Sequence, residues 1–387
     1  MKKFKLMSKY KNPKFIIFTI ISLSIISIIS VYYLMHYNKS YIRYTENNIV
    51  VKTNELNLEY DELPEKDIFI SMVNSSKILI RNEEGIWLYD RDKNEKKLIS
   101  RVLNNDHVFE NAVYSNGWVV WIEDNRKVFD GDKVINESEG LMGESWIVVA
   151  KNINTDEQII IDKSHKMKDL KYIYSPDDIE ISNDTIVYKH IDFQDDDYVF
   201  VVKTFDLSTR NLDVIETIGD IKDKWITDVS IHNNKIGWIN LDKKHNYSDL
   251  YLYDIDTKEK TKLDSGKYGR ELYIYKDKIY ATNHDNIGPD DFDELREIDI
   301  NTKEIRKIID GTNHISKYLD ASSDGIILLS TPHGEKSSYY DIKSNDFKDL
   351  GENKFINYIS NGYIIYYERI EGRDHSKSRI IPIEEQN

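Results

Sequence analysis

The chain has 387 residues, 68 acidic against 53 basic side chains, a net charge of −15 and no cysteine. Length allows one large domain or two ordinary ones. The missing cysteines exclude a disulfide scaffold, a thiolate metal site and a cysteine-linked lipid anchor. An acidic body repels phosphate backbones, so nucleic acid is excluded as a partner.

The first fourteen residues carry six lysines and no acid. Residues 15–35 (FIIFTIISLSIISIISVYYLM) are uncharged and almost wholly apolar. About 20 such residues, rising 1.5 Å each as a helix, cross a hydrocarbon core of about 30 Å. The run is longer than a signal-peptide core and ends in Tyr32, Tyr33 and Leu34 without an Ala-x-Ala cleavage pattern. It is expected to be an uncleaved transmembrane anchor. The basic tail, residues 1–14, would stay in the cytoplasm and everything after the anchor would lie outside. Residues 36–47 read as a short polar tether, and residues 48–387 as one extracytoplasmic domain.

Tyr and Ile, abundant here, favour strands; Asn and Asp, also abundant, favour turns. Residues 48–52 (NIVVK from Asn48) form a lone strand. Beyond it two kinds of hairpin alternate. The first is an apolar strand, an Asn, Asp or Gly turn and a second apolar strand, as in VYSNGWVVW from Val113, ISNDTIVY from Ile181, IHNNKIGW from Ile231 and YISNGYIIYY from Tyr358. The second carries Asp or Asn, an aliphatic residue, any residue, then Thr or Ser. Examples start at Asn152 (NINTDEQIII), Asp206 (DLSTRNLDVI), Asp254 (DIDTKEKTKL), Asp299 (DINTKEIRKI) and Asp341 (DIKSNDFKDL), with a shortened copy at Asp90. Pairing each first hairpin with the next second hairpin gives four-strand units, the sequence signature of propeller blades. Six units are complete, and the seventh, from Phe355, lacks its outer strand. The expected fold is all-β: a seven-bladed β-propeller whose last blade is closed by the N-terminal strand 48–52. Six blades is the alternative if the chain from Phe355 packs differently.

This alternation of SNG-type and YDxxT-type hairpins resembles TolB-like and related bacterial β-propellers, over most of the chain from Asp67 onward. YSPDD (residues 174–178) is similar to that group's Ser-Pro-Asp turn, which here occurs once and not in every unit. The resemblance concerns the fold and carries over no functional residue.

No nucleophile elbow, P-loop, dinucleotide fingerprint or His-Glu-x-x-His motif is present. Asp90, Asp92 and Asn94 have calcium-loop spacing but lack its glycine and terminal glutamate, and they fall on a repeating turn. Trp121 and Trp238 occupy equivalent strand positions, matched by Tyr188 and Tyr366, and read as packing between blades and not as sugar platforms. The connection between the two hairpins falls on one face of every blade. In units three to seven it brings His190, His245, His284, His333 and His375 beside Asp192, Asp249, Asp285, Glu335 and Asp374. Imidazole with carboxylate is metal-ligand and pH-switch chemistry. The resemblance adds a precedent, since some TolB-like propellers are polysaccharide lyases with a histidine-ligated metal near the axis. No cofactor is expected, since long polar loops also collect histidine by chance; the alternative is a divalent metal on that rim.

Low Ala with high Lys, Ile and Asn suggests an AT-rich bacterial genome. The expected role is a non-enzymatic binding or scaffolding module at the bacterial cell surface, anchored in the membrane. Its partner would be a protein or cell-envelope ligand on the face carrying the longest loop, Glu123 to Ser145. The competing roles are a metal-dependent carbohydrate-active enzyme and a ligand sensor working through a membrane partner.

Overall fold

A computed structural model describes residues 50–52, 68–125, 142–143, 145–164, 173–266, 268–284, 294–310, 321–322, 325–330, 336–352, 354–360, 363–369 and 376–382. The expected anchor, residues 15–35, lies outside them. No helix of the described residues is long and apolar enough to cross a membrane.

The described residues are strands and turns, arranged as antiparallel sheets in chain order. The first sheet runs Ile68–Asn74, Lys77–Asn82, Gly85–Asp90, Glu95–Ser100. The second runs Val108–Ser115, Trp118–Asp124, Trp146–Asn152, Gln158–Lys163. The third runs Asp177–Ser182, Thr185–Gln194, Asp197–Asp206, Asn211–Ile218. The fourth runs Lys224–His232, Lys235–Asp242, Tyr247–Asp254, Glu259–Gly266. The fifth runs Tyr268–Tyr275, Lys278–His284, Glu294–Asp299, Ile305–Asp310. The sixth begins with the two-residue strand Ala321–Ser322, and the seventh has three strands, Lys354–Ser360, Tyr363–Arg369 and Ser376–Pro382. A small ribbon pairs Met142–Gly143 with Ile173–Tyr174. First strands lie against first strands: those of sheets one to five follow one another, and Lys354–Ser360 touches both Ala321–Ser322 and Ile68–Asn74.

One expectation is overturned. The N-terminal strand does not complete the last sheet. Val50–Lys52 pairs antiparallel with Glu95–Ser100 as a fifth strand of the first sheet, and the seventh sheet keeps three strands among the described residues. Chain length explains the choice: the first sheet is the nearest in sequence, where loop closure costs least. In that pairing Lys52 stands opposite Glu95 in the ladder.

The second hairpin's motif has a specific job. The carboxylate of Asp254 accepts from the backbone N–H of Asp256 and of Thr257, both at 3.0 Å. Asn152, Asp206 and Asp299 cap their turns the same way. The following aliphatic residue ties the two hairpins together: Ile153, Leu207, Ile255, Ile300 and Ile342 each donate their N–H to a carbonyl in the first hairpin's turn. That turn has positive φ at Asn116, Asn183, Asn233 and Lys276, and at Gly117, where an added Cβ would sit 2.7 Å from the Asn154 amide. The calcium-like spacing at Asp90 is also a turn, with Asp90 capping the Lys93 N–H and Asn94 at φ 51°.

The core lies between neighbouring sheets. Trp121, Tyr188, Trp238 and Tyr280 have no solvent exposure, so the aromatic at this strand position is packing, as its repetition implies. Each polar tip is satisfied: the Trp238 indole donates to Glu216 of the third sheet, and the Tyr188 hydroxyl donates to Asp162 of the second. Trp121→Ala or Trp238→Ala should cost about 3–5 kcal/mol, read as a fall in denaturant midpoint. Trp225→Ala, at a residue 41% exposed, should cost less than about 1 kcal/mol.

Candidate functional site at the loop-bearing end

Because the strands of each sheet alternate in direction, its connections fall at two ends. Tight capped turns occupy one end. The connections between hairpins, and the links from sheet to sheet, occupy the other.

The inner wall begins with a repeated irregularity. Register shifts break the first strand of most sheets at matching places: Phe109/Ala112, Asp177/Glu180, Ile226/Val229 and Gly269/Leu272. A bulge re-aims side chains, and in the third, fourth and fifth sheets the bulged segment carries Asp178, Asp228 and Glu271. These strands have a free edge whose N–H groups need acceptors. Side chains of the preceding sheet supply them. Glu180 accepts from Ile231 N–H at 2.8 Å and Ser182 from Asn233 N–H at 2.9 Å. Asp228 accepts from Leu272 N–H at 2.7 Å and Ser230 from Ile274 N–H at 3.4 Å.

Four carboxylates, those of Asp177, Asp178, Glu180 and Asp228, gather near one buried ammonium. Lys189 is 6% exposed and donates to Asp177 at 3.0 Å and to Asp178 at 2.9 Å. Burial opposes its charge, but the two aspartates outweigh that and hold Lys189 above the usual lysine range. Burial, then the Asp178 and Glu180 charges, push Asp228 well above the usual carboxylate value. Asp177 is raised by burial and by Asp178, although its side chain is 63% exposed. One side of it is wet and protein encloses the others.

The structure separates the sequence-predicted histidines. His190 is not in a connection: Thr185–Gln194 runs on past it, and the ring is 2% exposed. His245 does sit in a connection, 67% exposed, with Nδ1 2.9 Å from Asp242. His284 ends the strand Lys278–His284. His333 and His375 lie outside the described residues. Among the described residues no three His, Asp or Glu side chains converge as a metal-holding set. His107, which the sequence did not single out, is 5% exposed with Nε2 2.8 Å from the Ser145 hydroxyl at the base of the long loop.

The same end carries exposed aromatic surface. Trp225 opens onto solvent beside Phe200, ring centroids 6.3 Å apart, with the Lys243 ammonium 3.0 Å from its ring centre. Lys243 N–H donates to Asp223 C=O, tying the sheet-to-sheet link to the connection. The hairpin tip between Phe193 and Tyr198 stands nearby in the chain, with those rings 5.2 Å apart. A small cleft of about 30 Å³ opens between the fourth and fifth sheets, lined by Ser248, Asp264, Asn283 and Arg296 among others, and its Arg296 is paired with Asp264 at 3.0 Å.

No family model matches this chain, and no curated protein matches it. Similar solved structures do exist. A prolyl endopeptidase structure superposes with a TM-score of 0.55 at 10% identity, covering 82% of this chain and 50% of that one. An oligogalacturonate lyase in complex with manganese gives 0.50 at 11% identity, covering 83% and 78%. TolB from Acinetobacter baumannii gives 0.42 at 12% identity, covering 81% and 76%. This chain spans half the length of the prolyl endopeptidase it matches. At such identities the likeness shows the β-propeller fold alone.

The inner wall gives a pH prediction. A carboxylate whose folded pKa is raised contributes stability that is present below its ordinary value of 3.8 and lost as pH rises through the folded value. Lys189→Met removes the counter-charge and should cost about 3 kcal/mol at pH 8, the low end for a buried pair because its aspartates are partly wet. The cost should be smaller at pH 5 than at pH 8, because carboxyl groups held above their ordinary range take up protons earlier as pH falls. Denaturant titrations of both proteins at the two pH values check this, and an equal cost at each pH would refute it.

Proposed function

We propose that the seven sheets are the blades of a seven-bladed propeller, held outside the cytoplasm by the apolar segment 15–35. It acts as a non-enzymatic binding or scaffolding module whose partner, a protein or envelope ligand, docks at the loop-bearing end. One observation carries the reading. Of the four tryptophans at 118, 121, 225 and 238, three are buried in packing and Trp225 alone is exposed, on that end. Exposed aromatics on rigid scaffolds are favoured binding anchors.

The test exploits the cysteine-free sequence. A membrane-impermeant maleimide should label Lys244→Cys on intact cells, and labelling only after lysis would place the domain inside. A photoreactive aromatic residue at position 225 should cross-link an envelope partner on intact cells. The same residue at position 256, in a capped turn of the opposite end, should not. Equal yields at both positions would sink the docking face.

A second reading is a metal-dependent carbohydrate-active enzyme. It is favoured by His245, in the connection of the fourth sheet, and His284, the last strand residue before the corresponding connection of the fifth, with His333 and His375 assigned by sequence to the next two. The manganese complex of an oligogalacturonate lyase on a similar fold supplies the precedent. This reading expects His284→Ala with His333→Ala to weaken Mn²⁺ or Zn²⁺ binding at least tenfold, about 1.4 kcal/mol. Unchanged binding in calorimetry removes it.

A further inference from the structure

Two ring nitrogens are buried at the seam between the second and third sheets. Trp146, 3% exposed, begins the strand that follows the long loop, and His190, 2% exposed, lies in the facing sheet. Their ring centroids are 5.2 Å apart, with planes at 68°. Among the described residues, neither Trp146 Nε1 nor His190 Nε2 meets a hydrogen-bonding partner.

Chemistry fixes the role of each nitrogen. His190 Nδ1 is 3.2 Å from the Ile191 carbonyl, which only accepts, so Nδ1 carries the ring proton. Nε2 is then an acceptor with its lone pair unused. Burial, together with the Lys203 charge, keeps the ring neutral by pushing its pKa down to about 4. The Trp146 indole N–H can only donate. The nearby polar groups are already committed: Asp162 takes the Tyr188 hydroxyl at 2.7 Å and the Lys203 ammonium at 3.0 Å.

A carboxylate would suit the indole and oppose the imidazole lone pair. A metal ion would suit the lone pair but face the positive edge of the indole, with the Lys203 ammonium close by. A hydroxyl both gives and accepts a proton. We propose that this seam is a hydroxyl-binding site, in which one O–H accepts from Trp146 Nε1–H and donates to His190 Nε2. The hydroxyl belongs to a water molecule or to a small alcohol or sugar. The site is separate from the Trp225 surface and stands whether or not a partner docks there.

The test uses the full chain in detergent, labelled with ¹⁵N at Trp and His. A magnetisation transfer from water to the Trp146 indole proton, with a His190 Nε2 shift typical of a hydrogen-bonded lone pair, supports water as the occupant. Titration with glycerol or glucose that moves both signals together supports an alcohol or sugar, and Trp146→Phe should then weaken that binding about tenfold, the worth of one hydrogen bond. A His190 Nε2 shift of a free lone pair, without water transfer and without response to either probe, overturns the proposal. The wild-type spectrum decides even if Trp146→Phe fails to fold. Position-225 cross-linking reads the docking face separately, so either idea can fail alone.

Discussion

A strand that begins a sheet has only one neighbour. Packing such strands around a common axis leaves the axis-facing edge of each with unspent N–H groups, and buried N–H groups without acceptors are costly. This chain answers with side chains from the sheet before. Glu180 and Ser182 serve the fourth sheet, and Asp228 and Ser230 serve the fifth. The sheets are thereby laced in sequence by polar groups on the inside, while the aromatics Tyr188 and Trp238 fill the space further out. Apolar packing alone would hold two sheets face to face at many angles. Hydrogen bonds from a fixed position in one strand to a fixed position in the next select one.

That solution explains why the inner wall is acidic. A carboxylate accepts strong hydrogen bonds from backbone N–H, so Asp and Glu do this work well one at a time. Several close together repel, and burial raises the cost of each charge. Lys189 is the local answer, held between Asp177 and Asp178. The raised carboxyl groups follow from that architecture. A cluster of acids with a lysine in a propeller's wall therefore reads first as lacing, and its perturbed protonation is weak grounds for catalysis.

Much of the fold was legible because turns have short-range causes. The aspartate of the repeated hairpin motif bonds to N–H groups two and three residues on, so its spacing survives in the sequence. The buried ring of Trp121, Tyr188 and Trp238 was legible for the same reason, as one residue type recurring at one strand position. What the sequence concealed depends on partners far along the chain. The strand Val50–Lys52 had two open edges to choose from, and which of them it takes is invisible until a register is drawn. His190 looked like a loop residue because the acid-rich DFQDDDY run follows it. The structure instead continues the strand to Gln194 and turns at Asp195 and Asp196, both at positive φ. His107 gave no signal, since its partner Ser145 is far along the chain.

The two ends of the ring differ in how much of their chemistry is already used. At the turn end, the Asx carboxylates accept from the turn, and the aliphatic residue's N–H crosses to the neighbouring hairpin. A ligand there would have to compete with bonds the fold needs. At the other end, connections vary in length and the regular lacing stops. Trp225 keeps 41% of its surface in solvent, and the Trp146 and His190 nitrogens without partners among the described residues lie where the strand after the long connection begins. Unspent polar groups and exposed aromatic surface on the same side of a scaffold whose opposite side is consumed by its own folding give recognition one place to evolve without undoing the ring.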